Sequence, residues 1–172
     1  KNFVTFASFN NLSKINESVI SVWSKILNSI PNSKIFLKSS QLDNEKIRIE
    51  ILEKFKKNGV AIQNIILEGK GRRKDILEKY NEIDIALYPV RYNGVVTTIE
   101  AILMGVPVLN KKGFRPHSKM GESINNNANM EEWIAKDDNE YISKASKFSS
   151  NIEKLYLIKN KSLIKLFASL FK

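Results

Sequence analysis

IDIALYPVRYNGVVTTIEAILMGVPVLN, from Ile83 to Asn110, is the stretch whose reading decides the fold. It opens on "IDIALY" (Ile83–Tyr88), a short β-type run, and closes on "VPVLN", a second one. Between them Asn93-Gly94 breaks the chain, and apolar residues recur at helical spacing from about Val96 to Met104 before Gly105 and Pro107. A strand, a short crossover helix and a strand make one parallel βαβ unit.

The same alternation extends upstream. Phe3–Ser8 reads as a strand, followed by a helix from about Ser13 to Asn28, with Ile15, Val19, Ile20, Trp23, Ile26, Leu27 and Ile30 recurring on one helical face. "KIFLK" (Lys34–Lys38) is a second strand, Asn44–Lys57 a charged amphipathic helix, "IILEG" (Ile65–Gly69) a third strand and Arg72–Tyr80 a short helix. The tail reads as helical over Met130–Lys136, Asn139–Phe148 and Ile152–Phe171. The pattern predicts an α/β fold, a Rossmann-like doubly wound parallel sheet covered on both faces. Ligands are then expected at the carboxyl ends of the strands.

Composition narrows the function. At 172 residues the chain is one domain or one lobe of something larger, and 42% hydrophobic content supports a packed core. The absence of cysteine removes disulfides, thiolate metal sites and a cysteine nucleophile, and the single His117 removes a histidine-rich metal site. No run approaches the ~20 apolar residues of a membrane span, and the first residues given do not read as a signal-peptide pattern. It starts almost directly in a strand, as a piece of a longer parent would, and a cytoplasmic location is expected. The net charge of +10 fits a nucleic-acid surface, an anionic-lipid surface or a lysine-rich sequence bias. The abundance of Lys, Asn and Ile favours the bias.

Three strand-to-helix loops have unusual content: Ser8–Lys14, Gly69–Arg73 and Tyr88–Thr98. In the third, Gly94 admits a close backbone approach. The helix start after it offers unpaired N–H groups and a positive dipole end, and Thr97 and Thr98 add hydroxyls. These suit a phosphate. Glu100, one turn in, can accept two ribose hydroxyls. The alternative is that the threonines merely cap the helix and Glu100 is an acid favoured by the dipole.

Lys14, early in the first predicted helix, is placed to meet a diphosphate or else is a solvated surface lysine. "GKGRRK" (Gly69–Lys74) lacks the spacing of a P-loop. Its four basic residues in five suit nucleic acid, but no aromatic stacking platform accompanies them.

The chain resembles the C-terminal half of the catalytic region of protein O-GlcNAc transferases, including the SPINDLY-like and tetratricopeptide-linked bacterial members. "FASFNNLSKI", "VWSKILNSIPNSKIFLK", "NIILEG", "YNEIDIALYPVRYNG", "TTIEAILMGVPVL" and "HSKMGESI" carry the resemblance, from about Phe6 to Phe148. It implies the C-terminal lobe of a GT-B glycosyltransferase over residues 1–150. The helix of 151–172 would then pack on an N-terminal lobe outside this chain. By the same resemblance Lys14 holds the donor's diphosphate and acts as the catalytic group on the departing phosphate, with Asn11 bordering it. Gly71 and Arg73 lie in the loop that recognises the uracil. Asn93, Gly94, Val96, Thr97 and Thr98 surround the phosphates, and Glu100 takes the ribose hydroxyls.

The implied reaction is metal-independent transfer of N-acetylglucosamine from UDP-GlcNAc to Ser or Thr of a protein, with no cofactor beyond the UDP-sugar donor. The acceptor protein would bind through the N-terminal lobe and repeats. Some positions depart from the family pattern. Val96 stands for a Thr, Tyr88 and Arg91 for an Asp and a Pro, Lys119 for an Arg, and Ile76 and Val95 for the His of animal members. The alternatives are a basic nucleic-acid module, or a non-catalytic fragment docking through Leu163, Ile164, Leu166, Phe167, Leu170 and Phe171.

Overall fold

The computed structural model describes residues 3–89, 94–113 and 119–160. Six strands, β1 (Thr5–Ser8), β2 (Lys34–Lys38), β3 (Ile65–Glu68), β4 (Ile85–Leu87), β5 (Val108–Lys111) and β6 (Ile134–Ala135), pair in the order β3-β2-β1-β4-β5-β6. Every pairing is parallel.

Alternation along these short strands explains why both faces are covered. Phe6, Ile35, Leu37, Ile85, Leu87 and Leu109 join one apolar cluster, while their neighbours Ala7, Phe36, Ala86 and Val108 join another. The first face receives α1 (Glu17–Ser29), α2 (Glu45–Lys57) and α6 (Asp138–Ser149), through Val19, Trp23, Ile51, Phe55, Tyr141 and Ala145. The second receives Tyr80, after α3 (Arg73–Lys79), and Ala101 of α4 (Val95–Leu103).

Helix starts follow local polar chemistry. Asn16, Asn44 and Asp137 each accept a backbone N–H of the first turn, at 3.1, 2.9 and 2.8 Å, which satisfies donors no helix can pair internally.

Two expectations are corrected, and one element was not anticipated. The first helix does not begin at Ser13. Asn11 caps a separate 3-10 turn, Leu12–Lys14, and Ile15 is non-helical before Asn16 starts α1 afresh. Lys14 therefore sits on the turn between β1 and α1. Met130–Lys136 is not a helix but a 3-10 turn, Glu131–Trp133, running into β6. Pairing of Ile134 and Ala135 with Asn110 and Lys111 outweighs a helix of so few residues. A further helix, α5 (Met120–Asn127), was not expected from its Asn-rich sequence. Buried amides hold it to β5: Asn125 Nδ2 donates to the Val108 carbonyl at 2.9 Å and Asn110 Nδ2 to the Gly121 carbonyl at 3.2 Å.

The described part of the tail, helix α7 (152–160), packs on this lobe. Leu155 enters the core, and Lys159 Nζ donates to the Asn81 carbonyl at 2.8 Å. Gly105, at φ +77°, would place a Cβ 2.6 Å from the Lys159 carbonyl oxygen, so its lack of a side chain lets α7 approach. Ile152, Tyr156 and Leu157 stay exposed. The apolar set from Leu163 to Phe171 lies outside the described residues, as do Arg91, Asn93 and His117.

Candidate active site

From β1 the chain builds outward to β2 and β3, then returns across the sheet to β4 and builds the other way. Loops leaving the carboxyl ends of β1 and β4 diverge there and leave a crevice, the general place for ligands in such sheets. Two of the three loops singled out in the sequence flank that crevice, and the third lies beside it.

Gly94 is the meeting point. A Cβ on it would stand 2.4 Å from Asn10 Oδ1, 2.7 Å from Thr97 Oγ1 and 3.1 Å from the Tyr88 hydroxyl. Asn10 is buried and its Nδ2 donates to Ser8 Oγ at 3.2 Å, while Thr97 Oγ1 lies 3.3 Å from Asn10 Oδ1. The β1 loop thus rests directly on the first turn of α4. Helix geometry leaves the N–H groups of Val95, Val96 and Thr97 without intrahelical partners, at the positive end of the helix dipole. Thr98 is fully buried, its hydroxyl donating to the Gly94 carbonyl at 2.8 Å. What faces outward is Val96, which is 64% exposed, and half-buried Thr97.

Tyr88 anchors this corner. Its hydroxyl contacts the Gly94 carbonyl and Thr97 Oγ1. Its backbone N–H donates to the Tyr141 hydroxyl at 3.1 Å, and that hydroxyl donates to the Tyr88 carbonyl at 3.2 Å. Burial pushes the Tyr88 phenol above its ordinary pKa, against opposing hydrogen bonds with Thr97, Thr98 and Asn10. It stays protonated and able to donate.

Lys14, half-buried, lies on the turn leaving β1, on the same sheet edge as the start of α4. Asn11 is exposed, and its Oδ1 accepts from Ser13 N at 2.9 Å, so its side chain shapes the turn that carries Lys14. Leu12 N donates to Gln41 Oε1 at 2.8 Å and ties this turn to the segment after β2.

The β3 loop reaches the same helix. Arg73 Nη1 lies 2.5 Å from Glu100 Oε1, in an ion pair out of line for a directional hydrogen bond. The Glu100 side chain is 9% exposed and that of Arg73 65%, so the carboxylate forms the inner wall and the guanidinium the rim. Arg72 pairs with Asp75 at 2.9 Å and Lys74 with Glu78 at 3.8 Å. The basic run is thus largely compensated by acids of this lobe, which argues against a phosphate-backbone footprint there.

Lys38, buried at the end of β2, supports that loop from below. Its ammonium donates to Glu68 Oε2 at 3.1 Å and to the Gly69 carbonyl at 3.2 Å, and it would lie 3.3 Å from a Cβ on Gly71. Lys79 meets the other Glu68 oxygen at 3.0 Å. Burial pushes the Glu68 carboxyl up, but hydrogen bonds from Lys79 and Lys38 outweigh it and hold its pKa below the ordinary carboxylate value. A depressed carboxylate stabilises the fold above its unfolded pKa and loses that contribution as pH falls through the folded value. Melting temperatures measured from pH 7 to pH 3 are therefore expected to fall less steeply for Glu68→Gln than for the parent below about pH 4.5.

Among the described residues no group of His, Asp and Glu is arranged to hold a metal ion, and no helix is long and apolar enough to cross a membrane. The sequence reading gave Asn10, Tyr141 and Lys38 no role in the site, although Asn10 lies in the singled-out loop Ser8–Lys14. It noted Tyr88 only as the start of the loop Tyr88–Thr98 and as a departure from the family pattern.

A parallel, doubly wound lobe with an amide-rich helix start and an inward carboxylate at its switch point has the architecture of a nucleotide-binding lobe. The model of "Glycosyl transferase family 41" matches residues 1–172, and the chain belongs to that family. It is 31% identical over 154 residues to a Solanum lycopersicum protein named "Probable UDP-N-acetylglucosamine--peptide N-acetylglucosaminyltransferase SPINDLY". That match covers 89% of this chain and 16% of the relative. A relative of the same name from Oryza sativa subsp. japonica is 32% identical, over 89% of this chain and 17% of its own length. A mutant O-GlcNAc transferase from Thermobaculum terrenum superposes with a TM-score of 0.88 at 28% identity, over 96% of this chain and 32% of that one. The lobe therefore has the fold of one part of that GT-B transferase, and the chain spans about a third of its length and about a sixth of the length of the curated relatives.

Proposed function

We propose that this chain is the donor-binding lobe of a protein O-linked N-acetylglucosaminyltransferase, and that UDP-GlcNAc binds in the crevice between β1 and β4. The observation that carries this reading is the convergence on Gly94, where the β1 loop, Tyr88 and the first turn of α4 meet with no room for a side chain. In this reading the diphosphate lies on the amides of Val95, Val96 and Thr97, with the Thr97 hydroxyl beside it and Lys14 facing it. Glu100 accepts the ribose hydroxyls, Arg73 closes over them, and the base lies along the backbone of Gly71. Asn11 borders the phosphates, and Thr98 contributes through the helix it helps to cap.

In the transfer, an acceptor Ser or Thr oxygen bonds to C1 of the sugar while the C1–O bond to the β-phosphate breaks. UDP departs with the bonding pair, and the proton of the acceptor hydroxyl is released to solvent water. The lobe's part is electrostatic: Lys14 and the helix start stabilise charge that grows on the departing diphosphate. No step assigned to these residues requires a metal. Acceptor recognition belongs to sequence outside this chain, and the reading implies a cytoplasmic protein.

Thermal unfolding with UDP, UDP-GlcNAc or GDP, each with and without EDTA, tests the reading. UDP or UDP-GlcNAc at a hundred times its dissociation constant is expected to add about 2.7 kcal/mol. For a chain of this size that raises the melting temperature by about 5–10 °C. EDTA is expected to leave the shift unchanged. No shift with any nucleotide at millimolar concentration would remove the reading, and a shift with GDP alone would move it to another donor.

A further inference from the structure

A proton count at the start of α4 leads further. The Gly94 carbonyl has two lone pairs and already receives Thr98 Oγ1–H at 2.8 Å and Thr98 N–H at 3.1 Å. The hydroxyls of Tyr88 and Thr97 also reach that oxygen as donors, and they contact each other, so four protons compete for an acceptor with two lone pairs and not all can be served there. Asn10 Oδ1, 3.3 Å from Thr97 Oγ1, is the remaining protein acceptor in the cluster.

We propose that Tyr88 is a positioning residue: its phenol donates to Thr97 Oγ1 and so commits the Thr97 proton to an anionic oxygen bound at the helix start. Without ligand, the Thr97 proton rests on Asn10 Oδ1, a long bond that is given up readily. With a phosphate present the chain runs from the Tyr88 hydroxyl to the Thr97 hydroxyl to the phosphate oxygen, each bond polarising the next. Burial keeps the phenol protonated, as such a donor must be. The aromatic body of Tyr88 sits among Ala7, Ala86 and Val108, so loss of the hydroxyl alone leaves the packing in place.

This rests on the reading of that helix start as a diphosphate site, and the test separates the two. Titration calorimetry with UDP and with uridine is applied to the parent chain, Tyr88→Phe, Thr97→Val and the double variant. A parent that binds UDP no better than uridine overturns the diphosphate reading before any variant is compared, and this inference with it. Otherwise Tyr88→Phe is expected to weaken UDP about tenfold while leaving uridine within about twofold. Thr97→Val is expected to do the same, and the double variant to be no worse than Thr97→Val alone, because in this assignment the Tyr88 hydroxyl reaches the ligand through that of Thr97. Equal losses for UDP and uridine, losses that multiply in the double variant, or no loss in Tyr88→Phe would each overturn the assignment.

Discussion

Gly94→Ala is expected to lower stability by about 1–3 kcal/mol and to weaken UDP binding at least about tenfold. The backbone is not the reason, since φ −85° and ψ 102° at Gly94 are open to alanine. The reason is contact: the new methyl would stand 2.4 Å from Asn10 Oδ1 and 2.7 Å from Thr97 Oγ1. Asn10 is buried and bonded to Ser8, and Thr97 is fixed to its helix, so relief requires the β1 loop and α4 to separate. That movement widens the gap between Lys14 and the helix start that the diphosphate is proposed to bridge. Chemical denaturation and UDP titration of the same preparation check both effects. An alanine variant that binds UDP like the parent would place the nucleotide elsewhere.

Lys14→Ala is expected to weaken UDP about 10- to 100-fold, the range of a charge-assisted bond to phosphate, while uridine binding and the melting temperature stay essentially unchanged. The turn that carries Lys14 is held by other groups, namely Asn11 Oδ1 on Ser13 N and Gln41 Oε1 on Leu12 N, so its backbone survives the substitution. In a full-length protein acting as proposed, the effect is expected to fall on kcat more than on KM. In that reading the ammonium gains attraction as charge builds on the departing phosphate, which is stabilisation realised mainly in the transition state. Retention of the charge in Lys14→Arg should recover part of the UDP affinity. Unchanged UDP affinity in Lys14→Ala would show that the ammonium is solvated and takes no part.

Wherever local pattern and final packing agree, the sequence was enough. β2 matches its expected bounds, Lys34–Lys38, and α2 and α4 differ from expectation by a single residue at each end or one end. Their apolar spacing specifies a buried face, and the Asn before α2 specifies where that helix starts. The parallel, doubly wound arrangement followed from alternation alone. The start of α4 was legible too, because Gly94 breaks the chain there and Thr97 and Thr98 follow in its first turn.

Other features needed the third dimension. β6 is two residues long and exists through its pairing with Asn110 and Lys111, a contact no local pattern in Met130–Lys136 announces. α5 is held by the amides of Asn110 and Asn125, residues that taken singly read as loop formers. Burial of Asn10 against Thr97 joins positions 87 residues apart.

The sequence by itself determined the class of sheet, the order of its elements and the chemical types at each loop. Tertiary structure decided which of those loops meet and which side chains turn inward: Asn10 rather than Asn11, Tyr88 onto Thr97, Arg73 onto Glu100. The physical reason is that periodicity and capping act over a few residues, whereas the crevice is made by strand order, which brings β1 and β4 together only once the chain has crossed back over itself.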